Sequence, residues 1–224
     1  MIKAILFDFD GLILETEEPV FRAWQELYAS YGLQLPYEDW SNQIGTRSSA
    51  SDPLDDLEAQ IGKPFADRQA LEERLQKREM ALIRLKTAQP GVQAYLDGAR
   101  RMGLKIGLAS SSYRQWVTGH LKRLNLLNYF DSLRTADDVT KVKPDPALYR
   151  MVLGDLGIQS QEGIALEDSP HGVNAAKAAG LYCVAVPNVM TARMSFDQAD
   201  LRLESLEDLP LAALIQRIGN HKLV

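Results

Sequence analysis

The feature that most limits how this chain can fold is a set of four short apolar runs, each closing on polar residues: "KAILFDFD", "LKIGLASS", "GIALED" and "YCVAVPN". Such runs are the pattern of parallel strands covered on both faces. A fifth run, "DSLRTADD", carries it more weakly. Segments with helical spacing lie between the later runs: "PGVQAYLDGARRMG", closing on Gly103, "PDPALYRMVLGDLG", ending near Gly157, and "HGVNAAKAAG", stopping at Gly180. Proline near a helix start and glycine past its end are the expected punctuation. Strands alternating with helices predict an α/β fold, a doubly wound, mostly parallel Rossmann-like sheet.

Residues 16–88 break this rhythm. No strong strand pattern appears there, while "EPVFRAWQELYASYG" and "FADRQALEERLQKREMALIRLKTA" have amphipathic helical spacing, with Phe21, Trp24, Leu27 and Tyr31 on one stripe. The expected organisation is a helical cap over 16–88 inserted into a core built from 1–15 and 89–224. The stripe reads as the insert's own core, and "EERLQKRE" as a solvated face.

Composition narrows the function classes. A net charge of −5 disfavours a nucleic-acid partner. No apolar run approaches the ~20 residues of a membrane span, and the first fifteen residues show no secretory pattern. The single cysteine, Cys183, excludes an internal disulfide and reads as a small buried apolar residue. A cytoplasmic, soluble monomer is expected.

The chemistry gathers at the ends of the apolar runs. Asp8 and Asp10 stand two apart where the first run finishes, and in open α/β sheets ligands sit at the carboxyl edge. Gly11 follows, supplying a turn and close backbone approach. Alone, the acid pair is a weak signal. Ser110, Ser111 and Ser112 end the second run, where they can hold an anion or simply cap a helix. "KVKPDP" offers Lys143, either a phosphate ligand or a solvated lysine, and "ALEDSPHG" offers Glu167 and Asp168, either metal ligands or turn residues. Together they place carboxylates, hydroxyls and a lysine along one sheet edge. Carboxylates suit Mg²⁺, and lysine and serine suit phosphate, so the set predicts a phosphoryl-transfer site.

With "DFDGLILETE", "LASSS", "KVKPDP" and "LEDSPHG" in this order, the chain resembles the haloacid dehalogenase superfamily, in its β-phosphoglucomutase-like branch with a helical cap. The resemblance implies a phosphatase acting on a small phosphorylated metabolite through an aspartyl-phosphate. It implies Asp8 as nucleophile and Asp10 as general acid and base. Mg²⁺ would be held by Asp8, the Asp10 main-chain oxygen and Asp168, with Glu167 joining directly or through water. Ser110, Ser111 and Lys143 would bind phosphate, while Arg47, Thr16 and His171 are candidates for substrate specificity. One position departs from the pattern: Glu15 replaces the usual aspartate, which puts the geometry of the hinge into the cap in question. A phosphosugar mutase is the competing reading, but the histidine such mutases carry at the cap entrance is Val20 here. An inactive phospho-ligand binding module is a further alternative, against which the complete acid set argues.

Overall fold

The computed structural model describes residues 1–41 and 52–221. Among them, six strands form one parallel sheet: β1 (Ala4–Phe7), β2 (Lys105–Ala109), β3 (Ser132–Arg134), β4 (Gly163–Glu167), β5 (Tyr182–Ala185) and β6 (Leu201–Arg202). The spatial order is β3-β2-β1-β4-β5-β6. The chain builds outward from β1 to β3, then returns to the other side of β1 to lay down β4. The carboxyl edge between β1 and β4 is therefore the point where strand order reverses, the usual ligand crevice of such sheets.

Both faces are covered, which explains the near-continuous apolar runs. Along β1, Ile5 and Phe7 face a layer of α5 (Val92–Arg101), α6 (Arg114–Arg123) and α9 (Leu211–His221). Ala4 and Leu6 face α7 (Ala147–Leu156) and α8 (Pro170–Ala178) on the other side. This is the period-two alternation of a strand. Cys183 is buried in the α7–α8 face as an apolar residue. Gly157 takes φ +65° just past α7, and Pro146 precedes its first residue, so the punctuation read in the sequence is realised.

Between β1 and α5 come α1 (Glu17–Ser30), α2 (Tyr37–Ser41), α3 (Pro53–Ile61) and α4 (Arg68–Arg84). Phe21, Tyr28, Trp40 and Leu57 make an aromatic-rich core among these helices, with Trp24 and Leu27 partly buried against it. The predicted stripe differs at its end: Tyr31 is 39 % exposed, its ring near that of Phe65. It follows Ser30, the last residue of α1, and so falls off the helical face. The two chain segments that join these helices to the sheet lie side by side. Leu14 bridges Ala88 antiparallel, the Gln89 amide donates to the Ile13 carbonyl at 2.9 Å, and Lys86 pairs with Glu18 at 2.7 Å. The loop after β5 rises into the helices, where Met190 is buried in the aromatic core and the Tyr37 hydroxyl donates to its carbonyl. Among the described residues no helix is long and apolar enough to cross a membrane.

Candidate active site

β1 ends at Phe7, so Asp8 is the first residue beyond it, and its amide still donates to Leu166 of β4 at 3.0 Å. β4 ends on Glu167, with Asp168 next. Neighbouring parallel strands ending in register thus bring three carboxylates together. Asp8, Glu167 and Asp168 each offer an oxygen, all within 4.8 Å of one another, and all three residues are buried. The Lys143 ammonium donates to Asp8 Oδ1 and, at 2.6 Å, to Glu167 Oε1. Tyr149 on α7 donates its hydroxyl to the same Glu167 oxygen. Lys143 is 4 % exposed, so the solvated-lysine alternative does not hold.

The electrostatics follow from crowding. Burial pushes the Asp8 carboxyl well above its usual range, with Glu167 and Asp10 adding to the push and Lys143 opposing it. Asp168 is raised by burial first, then by Asp8 and Glu167. Burial alone would lower the Lys143 ammonium, but Asp8 and Glu167 outweigh it and hold it above its ordinary value. One cation among three carboxylates leaves negative charge in excess. Glu167 Oε2 is also buried with no hydrogen-bond partner among the described residues. A Cβ on Gly172 would overlap this carboxylate, and one on Gly11, which holds φ +84°, would overlap Asp168 Oδ2. An all-oxygen acid cluster with an orphaned carboxylate oxygen fits a hard divalent cation.

With Gly11 turning the chain directly after it at φ +84°, Asp10 stands close enough to Asp8 for its charge to raise that carboxyl. Its carboxylate points to the motif after β2. Oδ1 accepts from Thr16 Oγ1 at 3.0 Å and from Trp116 Nε1 at 2.8 Å. Oδ2 accepts from Ser112 Oγ at 2.7 Å and lies 3.5 Å from Ser110 Oγ. Ser110 also accepts from the Ser112 amide at 3.0 Å, so the serine run folds into a tight turn ahead of α6. Ser111 Oγ is buried and without a partner among the described residues.

The substitution at Glu15 has a clear outcome. Thr16 stands at the N-cap of α1 but makes no capping bond, because its hydroxyl is spent on Asp10. Glu15 Oε1 instead accepts from the Glu17 and Glu18 amides at 3.0 and 3.1 Å. The hinge is braced by the longer acid. Glu17 beside it is half-buried, and burial with the charges of Asp10 and Glu15 pushes it up to about 8. His171 lies in the first turn of α8, half-buried, its Nδ1 without a partner, and makes no bond to the acid cluster among the described residues. Arg47 lies outside the described residues.

Three functional neighbours escaped the sequence reading. Trp116 carries no motif signal, because its role depends on where α6 docks. Tyr149 reads as an ordinary apolar position of α7. Asn188, whose Nδ2 donates to Asp168 Oδ2 at 2.8 Å, follows the β5 run as a turn residue would. Its place three residues beyond a strand end was the one available signal.

The chain is similar to several known proteins. The family model for haloacid dehalogenase-like hydrolases matches residues 5–186. YhcW of Bacillus subtilis (strain 168), which carries a provisional phosphatase name, is 44 % identical, with 98 % of this chain and 99 % of the relative covered. A phosphorylated carbohydrates phosphatase of Thermotoga maritima is 33 % identical over 80 % of this chain and 82 % of its own. The crystal structure of CbbY from Rhodobacter sphaeroides in complex with phosphate superposes with a TM-score of 0.75 at 30 % identity, covering 96 % of this chain and 100 % of that one.

Proposed function

Because the chain belongs to the haloacid dehalogenase-like hydrolases and is a phosphatase, we propose that it hydrolyses a small phosphorylated carbohydrate by a Mg²⁺-dependent route through an aspartyl-phosphate on Asp8. The observation that carries this reading is the sharing of Lys143 between Asp8 and Glu167, with Asp168 beside them, at the reversal point of the sheet.

An Asp8 oxygen forms a bond to phosphorus while the ester oxygen leaves with its electron pair and takes a proton from Asp10. Asp10, now ionised, removes a proton from water as that water attacks phosphorus, and Asp8 is released with inorganic phosphate. Asp8, Asp168 and the Asp10 main-chain oxygen would hold Mg²⁺, with Glu167 in direct or water-mediated contact; bound there, the ion offsets repulsion between the carboxylate and the phosphate. Lys143, Ser110 and Ser111 hold phosphoryl oxygens as charge spreads over them. The helices of 16–88 act as the cap that excludes water and selects the leaving group, with Arg47, Thr16 and His171 as specificity candidates. Hydrolysis is preferred over a mutase because Val20 occupies the cap-entrance position. The protein works as a cytoplasmic monomer on this reading.

A panel of phosphorylated carbohydrates, assayed for inorganic phosphate with Mg²⁺ and with chelator, tests it. Wild type should release phosphate only with the metal, and Asp8→Asn should abolish turnover while keeping the fold. Near-normal Mg²⁺-dependent activity in Asp8→Asn would refute the assignment. Conversion of a hexose 1-phosphate to its 6-phosphate without phosphate release would favour the mutase.

A further inference from the structure

Among the described residues four side chains hold Asp10, and only one of them is unable to change its role. Thr16, Ser112 and Ser110 are hydroxyls, which donate or accept as they rotate. The Trp116 indole N–H only donates. From this asymmetry we propose that Trp116 is a positioning residue that gives the two Asp10 oxygens separate tasks, Oδ1 anchored and Oδ2 carrying the proton. The inference rests on the reading of Asp10 as general acid and base.

Asp10 Oδ1 accepts from Trp116 at 2.8 Å and from Thr16 at 3.0 Å, which fills its two acceptor positions. A proton on Oδ1 would displace one of these donors and could be met only by reversing Thr16, whereas a proton on Oδ2 leaves both bonds in place, so the neutral acid carries its proton on Oδ2. That oxygen has one good bond, from Ser112 at 2.7 Å. Among the described residues its second position is met only by the 3.5 Å contact to Ser110, at the edge of hydrogen bonding. Oδ2 therefore points its open lone pair, or its proton, at the residue proposed to hold the phosphoryl group.

The indole itself is fixed. Trp116 sits in the first turn of α6 and packs partly buried against the main core. His120, one turn on and 5 % exposed, meets its ring edge-on at a centroid distance of 4.5 Å. His120 in turn lies 6.3 Å from the ring of Phe9, the residue between the two aspartates. Burial first, and Arg123 next, lower the imidazole pKa against the pull of Asp10, and the ring stands here as an aromatic wall.

Trp116→Phe keeps the packing and removes the donor. Two substrates separate positioning from general damage: phenyl phosphate, whose leaving group needs a proton, and 2,4-dinitrophenyl phosphate, whose leaving group does not. Single-turnover formation of the phosphoenzyme should slow by about 10- to 100-fold with phenyl phosphate, the size expected for a lost charged hydrogen bond. With the dinitrophenyl ester it should change by no more than about twofold, and KM for phenyl phosphate by no more than about threefold. Equal losses on both esters, or no loss on either, overturn the inference. Asp10→Asn on the same pair keeps the premise separate: it should also spare the dinitrophenyl burst and slow phenyl phosphate further, by about 100-fold or more. If Asp10→Asn spares both esters, the acid assignment of Asp10 has failed and the role of Trp116 falls with it. A readout that keeps Trp116 in place tests the proposal even where the Phe variant misfolds. In Asp10→Asn the Trp116 indole N–H proton resonance should move upfield while those of Trp24 and Trp40 stay, and an unmoved Trp116 resonance also overturns the proposal.

Discussion

Replacing Lys143 by methionine isolates the electrostatics of the acid cluster, since the two side chains are similar in length and only the charge disappears. Asp8, Glu167 and Asp168 would then share a buried space without a cation. Removing one partner of a buried ion pair costs about 3–5 kcal/mol. For a chain of this size that is a melting-temperature loss of about 6–20 °C. The pH dependence has a definite sign. Asp8 and Asp168 already have folded pKa values raised above the unfolded ones. Each therefore contributes stability below about pH 4 that fades as pH rises towards its folded value. Without Lys143, Asp8 loses the attraction that opposes its burial and its folded value climbs further. In metal-free buffer the melting temperature of Lys143→Met should thus fall more steeply than that of wild type between pH 5 and 8. Calorimetry in chelator at both pH values measures this. A variant melting within about 2 °C of wild type at pH 8, or a gap that widens towards acid, would refute the reasoning.

Mg²⁺ at about a hundredfold above its dissociation constant should stabilise the wild type by about 2.7 kcal/mol, a rise of about 5–11 °C that chelator reverses and Asp168→Asn abolishes; a melting point indifferent to the ion would count against the metal reading. Gly172→Ala should cost about 1–3 kcal/mol, because its new methyl meets the Glu167 carboxylate. Gly154→Ala on α7, with open space around it, should gain about 0.4–1 kcal/mol. Denaturant melts compare the two, and equal effects would show that Gly172 is not a cradle.

The acids were legible because each ends an apolar run, and strand ends in a parallel sheet fall on one edge. Lys143 was legible as a candidate but not as a buried residue, since burial came from α7 folding back with Tyr149. α6 left a weak trace: its "RQWVTGHLKR" has few apolar residues, and Trp116 faces the site while Val117 and Leu121 face the core. β6 spans two residues and is too short to show any alternation. α9 did carry helical spacing, in Leu211, Leu214 and Ile218, and passed unread beyond the last motif. Pairings between distant segments, such as Asn188 with Asp168, leave nothing in either segment that names the partner.

The loop after β5 ties two distant places together. Asn188 reaches Asp168 with its amide, while its Oδ1 accepts from the Met190 and Thr191 amides at 2.8 and 3.1 Å. Two residues on, the Met190 thioether is embedded among Phe21, Tyr28 and Trp40, and its carbonyl is held by Tyr37. Besides the two backbone connections, the helices are thus moored to the sheet by this side-chain anchor. Any chimera that transplants residues 16–88 from a relative must bring positions 188–194 along as well. Otherwise the foreign aromatic nest will find no plug, and the mismatch will be transmitted straight to the carboxylate of Asp168.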